Sequence, residues 1–119
     1  MDYISRIADK LQQVLADNVG VDRTIITPKL IQAALNHNMT LRSNVGGYPI
    51  PNAPGFKIYT YPNVEDIPVA VYYGDNILAK VSAHNHVHTY GLTDNGWEKA
   101  RKGWNDIRKT GNRARLLDI

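Results

Sequence analysis

The run from Pro68 to Thr93, PVAVYYGDNILAKVSAHNHVHTYGLT, constrains this chain more than any other. Val69 to Tyr73 is β-branched and aromatic, and alternation resumes at Ile77. Between them stands Gly74-Asp75-Asn76. Gly reaches positive φ without steric cost and Asp and Asn tolerate it, so the run predicts a β-hairpin. The turn is either Gly74-Asp75 or all three residues, and the choice decides which of Tyr72 and Tyr73 faces the core.

Side chains alternate across a strand. If the second arm stays extended from Ile77 to Tyr90, one face carries Ile77, Ala79, Val81, Ala83, Asn85, Val87 and Thr89. That face is mostly apolar and predicts packing on a core. The other carries Leu78, Lys80, Ser82, His84, His86, His88 and Tyr90, so the arm puts three imidazoles on one wet face. The expectation requires that no turn interrupts the chain near Asn85.

The segments on either side of this run have helical spacing. Tyr3, Ile4, Ile7, Leu11, Val14 and Leu15 recur on one side of residues 3–17, opposite Asp9, Lys10, Gln12 and Gln13. Asp2 is placed to cap this helix, and Asn18-Val19-Gly20 to end it. Thr27-Pro28 opens a second helix, with Thr as N-cap and Pro in the first turn. Its apolar face is Leu30, Ile31, Ala34 and Leu35, and it ends near Asn36-His37-Asn38, with His37 at the negative end of the helix dipole. Ser43 to Gly55, SNVGGYPIPNAPG, is too rich in Pro and Gly for a regular element and reads as a surface loop anchored by Tyr48 and Ile50. Phe56 to Tyr61 reads as a strand, with a turn at Pro62-Asn63. Thr93 is placed to cap a last helix whose stripe is Trp97, Ala100, Trp104 and Ile107. Gly103 in that helix either permits close packing or marks a bend. Thr110-Gly111-Asn112 ends the helix, and a basic tail begins at Arg113.

Together these segments predict one α+β domain over residues 1–119. It has two N-terminal helices, a three- or four-stranded antiparallel sheet and a C-terminal basic helix, with the helices on one sheet face. Its 119 residues suffice for a single core. The absence of cysteine excludes disulfides and thiolate chemistry. No apolar run spans a bilayer and the first residues lack a signal-peptide pattern, so no membrane role and a cytoplasmic location are expected. The net charge of +3 is unevenly placed. Residues 97–119 hold seven basic side chains (Lys99, Arg101, Lys102, Arg108, Lys109, Arg113 and Arg115) against three acidic ones. Such asymmetry points to an anionic partner, a nucleic acid or an acidic protein surface.

The histidines carry the alternative chemistry. Neighbouring H-x-H side chains on a strand can share a zinc ion, but His84 and His88 stand about 13 Å apart along an extended arm, so only a neighbouring pair can chelate without a bend. Imidazole also serves as a general acid or base. With Lys80 or Arg101 as the cation, His84, His86 or His88 would suit a small hydrolase, most plainly a nuclease. His84-Asn85-His86-Val87-His88-Thr89, followed by Asp94-Asn95-Gly96, resembles the first motif of the PHP phosphoesterases, which implies a metal cluster in a β/α barrel. The 31 residues after His88 are too few for that family's later ligands, and membership is set aside. Tyr90-Gly91-Leu92-Thr93 leading through Gly96 into a helix is similar to the end of a wing in winged-helix proteins, which implies DNA reading by an earlier helix. Here the best earlier helix, Pro28 to Asn36, carries only Lys29 as a base. The leading expectation is therefore a non-catalytic binding module without cofactor or metal. The alternatives are the histidine-dependent hydrolase and an accessory or inhibitory protein that occludes a protein partner.

Overall fold

The computed structural model describes residues 3–41, 47–61, 66–84, 86–89 and 95–117. The elements in order are α1 (Tyr3–Asn18), α2 (Pro28–Leu41), β1 (Tyr48–Pro49), β2 (Phe56–Thr60), β3 (Val69–Tyr73), β4 (Asn76–Val81), β5 (Val87–Thr89) and α3 (Gly96–Leu117). The five strands form one antiparallel sheet in chain order, so the architecture is α+β.

The helix ends follow their local chemistry. Thr27 Oγ1 accepts the Leu30 amide at 3.1 Å, which makes Thr27 the N-cap of α2. Gly20 takes φ +86° while its amide donates to the Leu15 carbonyl at 3.1 Å, closing α1 with a left-handed residue. The expected caps Asp2 and Thr93 lie outside the described residues. Two helices run longer than expected. The α2 helix continues past Asn38 to Leu41, and α3 passes through Thr110-Gly111-Asn112 to Leu117, so Arg113 and Arg115 belong to a helix and not to a tail. One glycine between helix formers lowers propensity by only about 1 kcal/mol, which does not stop a helix already nucleated over three turns.

The hairpin turn is the two-residue option. Tyr73 pairs with Asn76 around Gly74-Asp75, and Gly74 takes φ +58°. A bulge follows: Val71 pairs with Ala79 but Tyr72 with Ile77, leaving Leu78 as the extra residue. The bulge corrects the simple alternation. Leu78, expected on the wet face, is fully buried, while Ile77 shares the outer face with Tyr72 and is half-buried. Tyr73 is the tyrosine that faces the core, its ring 4.8 Å from that of Phe56.

Among the described residues five strands stand where three or four are expected, and both additions have a cause. Tyr48–Pro49 pairs with Lys57 and Ile58, so the Pro- and Gly-rich stretch does contain a short edge strand. Ile50 and Ala53 anchor the loop behind it, and both are buried. The other addition is β5, because the long arm is not continuous. It turns after Val81 and returns, and Val81 pairs with Val87. The Ser82 amide donates to the His86 carbonyl at 3.0 Å across this turn.

The inner sheet face is Phe56, Ile58, Thr60, Val69, Val71, Ala79 and Val81, all without exposure. All three helices cover it: α1 meets β4, α2 meets β2, and α3 meets β3 and β4. Ile7, Leu11 and Leu15 of α1, Ile31 and Ala34 of α2, and Trp97 and Trp104 of α3 complete the core. Gln12, on the polar side of α1, fastens the connection to α2. Its Oε1 accepts the amides of Ile25 (2.9 Å) and Ile26 (3.1 Å), and its Nε2 donates to the Arg23 carbonyl (2.9 Å).

Candidate functional site

The turn between β4 and β5 redistributes the histidine trio. His84 sits in the turn itself. Its amide donates to Asp66 Oδ1 at 3.0 Å, and its Nε2 lies 3.3 Å from the same oxygen, with 75% of the side chain exposed. The Asp66 carbonyl also accepts the Ala83 amide at 2.9 Å. Asp66 and Ile67 take φ +75° and +35°, a region costly for β-branched Ile, as the chain bends into β3 beside this turn. Sequence reading missed Asp66 as a partner of His84, since nothing local relates two residues eighteen positions apart.

His86 and His88 follow a different rule. Residues directly opposite in an antiparallel pair project to the same face. His88 pairs with Lys80, and His86 faces Ser82 across the turn, its amide donating to Ser82 Oγ at 3.2 Å. Both histidines therefore share the outer face with Lys80, as expected, although the continuous arm that predicted it does not exist. His84 lies before β5, in the turn, where strand alternation does not assign it a face. The structure places His88 on the edge strand β5, His86 immediately before it and His84 in the turn beside Asp66. Among the described residues no group of three His, Cys, Asp or Glu side chains is placed to hold a metal ion.

The outer face holds residues that the charge count overlooked. Lys57 and Tyr59 alternate with buried Phe56, Ile58 and Thr60 on β2. Lys57 pairs with Tyr72, and Tyr59 pairs with Ala70, which in turn pairs with Lys80. The rings of Tyr59 and Tyr72, diagonal neighbours, stand 4.4 Å apart at 49°. Period-2 alternation in Phe56 to Thr60 was the available signal.

The seven cations of the last segment also divide. Arg101 Nε donates to the Asn18 carbonyl at 2.7 Å, satisfying an acceptor left open at the end of α1. Arg108 Nε lies 3.3 Å from Asp22 Oδ2, each side chain half-exposed. These two tie α3 to the end of α1 and the connection beyond it. Lys99, Lys102 and Lys109 are exposed, and their side chains make no hydrogen bond or ion pair among the described residues. The side chains of Arg113 and Arg115 lie outside the described residues. Trp97 and Trp104 are core, as their spacing suggests, and their buried indole N–H groups have no acceptor among the described residues. The Arg23 guanidinium covers the Trp104 ring at 5.2 Å.

Among the described residues no helix is long and apolar enough to cross a membrane. Compared with protein-family models, curated proteins and solved structures, the chain matches none.

Proposed function

We propose that this protein is a small non-catalytic binding module that contacts an anionic partner, a nucleic acid or an acidic protein surface, through α3. One observation carries the reading: Lys99, Lys102 and Lys109 stand exposed while Arg101 and Arg108 serve the fold. Helical spacing puts these lysines away from the Trp97–Trp104 stripe, so a partner reaches them without disturbing the core. Asp106 and Glu98 share that side of the helix and temper its potential. The test is binding of labelled duplex DNA and of polyglutamate between about 50 and 200 mM salt. Each phosphate contact contributes a slope of about −0.9 in log affinity against log salt. Substituting Lys99, Lys102 and Lys109 by Ala should flatten the slope by about two to three. An affinity indifferent to salt, or one unchanged in the triple variant, refutes the reading.

A second reading, the histidine-dependent hydrolase, draws support from Asp66, whose carboxylate lies against His84 as an orienting group would. Substituting His84, His86 and His88 by Ala in a chain that keeps its fold should then abolish cleavage of RNA or DNA. Undiminished cleavage, or none by the parent protein, ends that reading.

A further inference from the structure

The outer face of the sheet lies opposite the side covered by the three helices, and its composition is selective. No aspartate or glutamate occupies any of the five strands. On the outer face Lys57 neighbours Tyr72, and the row beside it runs Tyr59, Ala70, Lys80, His88. Ala70 is the smallest residue in that row and is fully buried, its larger neighbours closing over it. The two tyrosine rings are half-buried and tilted 49° to one another. They are therefore not consumed in a face-to-face stack. Gly47 fixes Tyr59: a Cβ there would come within 2.7 Å of the ring, so the ring leans over the Gly47 backbone. The side chains of Lys57 and Lys80 make no hydrogen bond or ion pair among the described residues.

We propose that this outer face is a stacking platform for single-stranded nucleic acid, with unpaired bases on Tyr59 and Tyr72 and the backbone phosphates on Lys57 and Lys80. The chemistry selects this occupant. An acidic peptide would use the lysines and leave the tyrosines idle. A duplex hides its base faces and offers nothing for the rings to stack on. An unpaired strand offers π-faces and phosphates together, and sheet faces with aromatic and cationic side chains suit it without reading sequence. The platform is separate from α3, which packs on the opposite side of the sheet, and does not depend on α3 binding anything.

The experiment uses the full chain and fluorescein-labelled twelve-residue oligo-dT and oligo-U, followed by anisotropy at about 50 mM salt. Three double variants are compared after circular dichroism confirms their fold. Tyr59→Phe with Tyr72→Phe keeps the rings and should bind as the parent does. Tyr59→Leu with Tyr72→Leu keeps apolar bulk without a π-face and should weaken binding roughly 5- to 150-fold for each base that loses its stack. Lys57→Ala with Lys80→Ala should flatten the salt slope by about 1.4. The Phe-to-Leu difference is read again with Lys99, Lys102 and Lys109 replaced by Ala. Its persistence there keeps this platform standing whatever becomes of the α3 reading. If the Leu variant does not fold, photocrosslinking of bound oligo-U to the parent protein decides, with β2 and β3 as the expected sites. Absence of binding by the parent, equal weakening in the Phe and Leu variants, crosslinks confined to α3, or self-association through this face in place of oligonucleotide binding each overturns the proposal.

Discussion

Gly103→Ala tests how closely α3 approaches the sheet. A Cβ built at Gly103 falls on the Tyr73 ring, nearest its hydroxyl oxygen. The ring cannot simply swing away, since Phe56 packs on it at 4.8 Å and a Cβ at Gly55 would stand 2.9 Å from it on another side. Two effects oppose each other. Alanine in a helix interior gains about 1 kcal/mol over glycine. Forcing a methyl into an occupied, rigid space costs roughly 1–3 kcal/mol, and contacts of this closeness belong at the upper end. The expected net is a loss of about 1–2 kcal/mol, which for a chain of this size lowers the melting temperature by roughly 4–8 °C. In a Tyr73→Ala background the obstruction is gone and only propensity remains. There Gly103→Ala should stabilise by about 1 kcal/mol, so the sign reverses and the double-mutant cycle shows a coupling of roughly 2–3 kcal/mol. Urea unfolding followed by tryptophan fluorescence reads all four proteins, with Trp104 adjacent to the substitution. Stabilisation by Gly103→Ala in the parent protein would refute the reasoning, because it would mean that the phenol does not lie against the helix.

The bulge makes a second test. Leu78→Ala empties a fully buried site and should cost about 2–5 kcal/mol, whereas Ile77→Ala on the outer face should cost about 1 kcal/mol or less; chemical denaturation that ranks them the other way would remove the bulge from the account. Gln12→Ala strips three hydrogen bonds from the α1–α2 connection and leaves the Ile25 and Ile26 amides without their acceptor. At about 1 kcal/mol each the expected loss is roughly 2–3 kcal/mol, with faster amide exchange at residues 25 and 26, and unchanged exchange there would contradict it.

Periodicity and turn chemistry made most of the fold legible. Helical spacing identified α1 and the start of α2, the Thr27 cap was readable from Thr-Pro, and Trp97, Ala100 and Trp104 announced their own burial. What escaped was set by pairing between distant residues. Leu78 is buried because β4 carries one residue more than β3 requires, a mismatch that no property of Leu78 encodes. The chain turns back after Val81 because Asp66, far upstream, accepts the amide of His84 and its carbonyl accepts that of Ala83. The prediction for His86 and His88 nevertheless kept their face, because opposition across an antiparallel pair preserves what alternation along one strand would have assigned. For His84 neither rule applies, because it sits in the turn. The charge count failed differently: it registered the cations of the last segment but not their partners. Lys57 and Lys80, set among strands without carboxylates, did not stand out because charge was summed along the chain and not across a face.

That difference between charge and partner separates stability from affinity within α3. Arg101 donates to the last carbonyl of α1 and places a cation at the negative end of that helix. Its removal should cost about 0.5–1.5 kcal/mol of stability, since the hydrogen bond is solvent-exposed. Arg108 and Asp22, both half-exposed, should contribute less than about 1 kcal/mol, and that contribution should fade with salt. Each guanidinium is held through Nε beside the end of α1 or Asp22, and helical spacing sets both beside the Trp97–Trp104 stripe, away from the three lysines. Arg101→Ala should therefore lower the melting temperature and leave the salt slope of anion binding unchanged. Lys99→Ala, Lys102→Ala and Lys109→Ala should each flatten the slope by up to about 0.9 and leave the melting temperature within roughly 2 °C. Denaturation and salt titration on the same four variants make the comparison. If Arg101→Ala flattened the slope as much as a lysine variant does, the ligand would be reaching the Nη donors of Arg101, and the division of α3 into structural and available cations would be wrong.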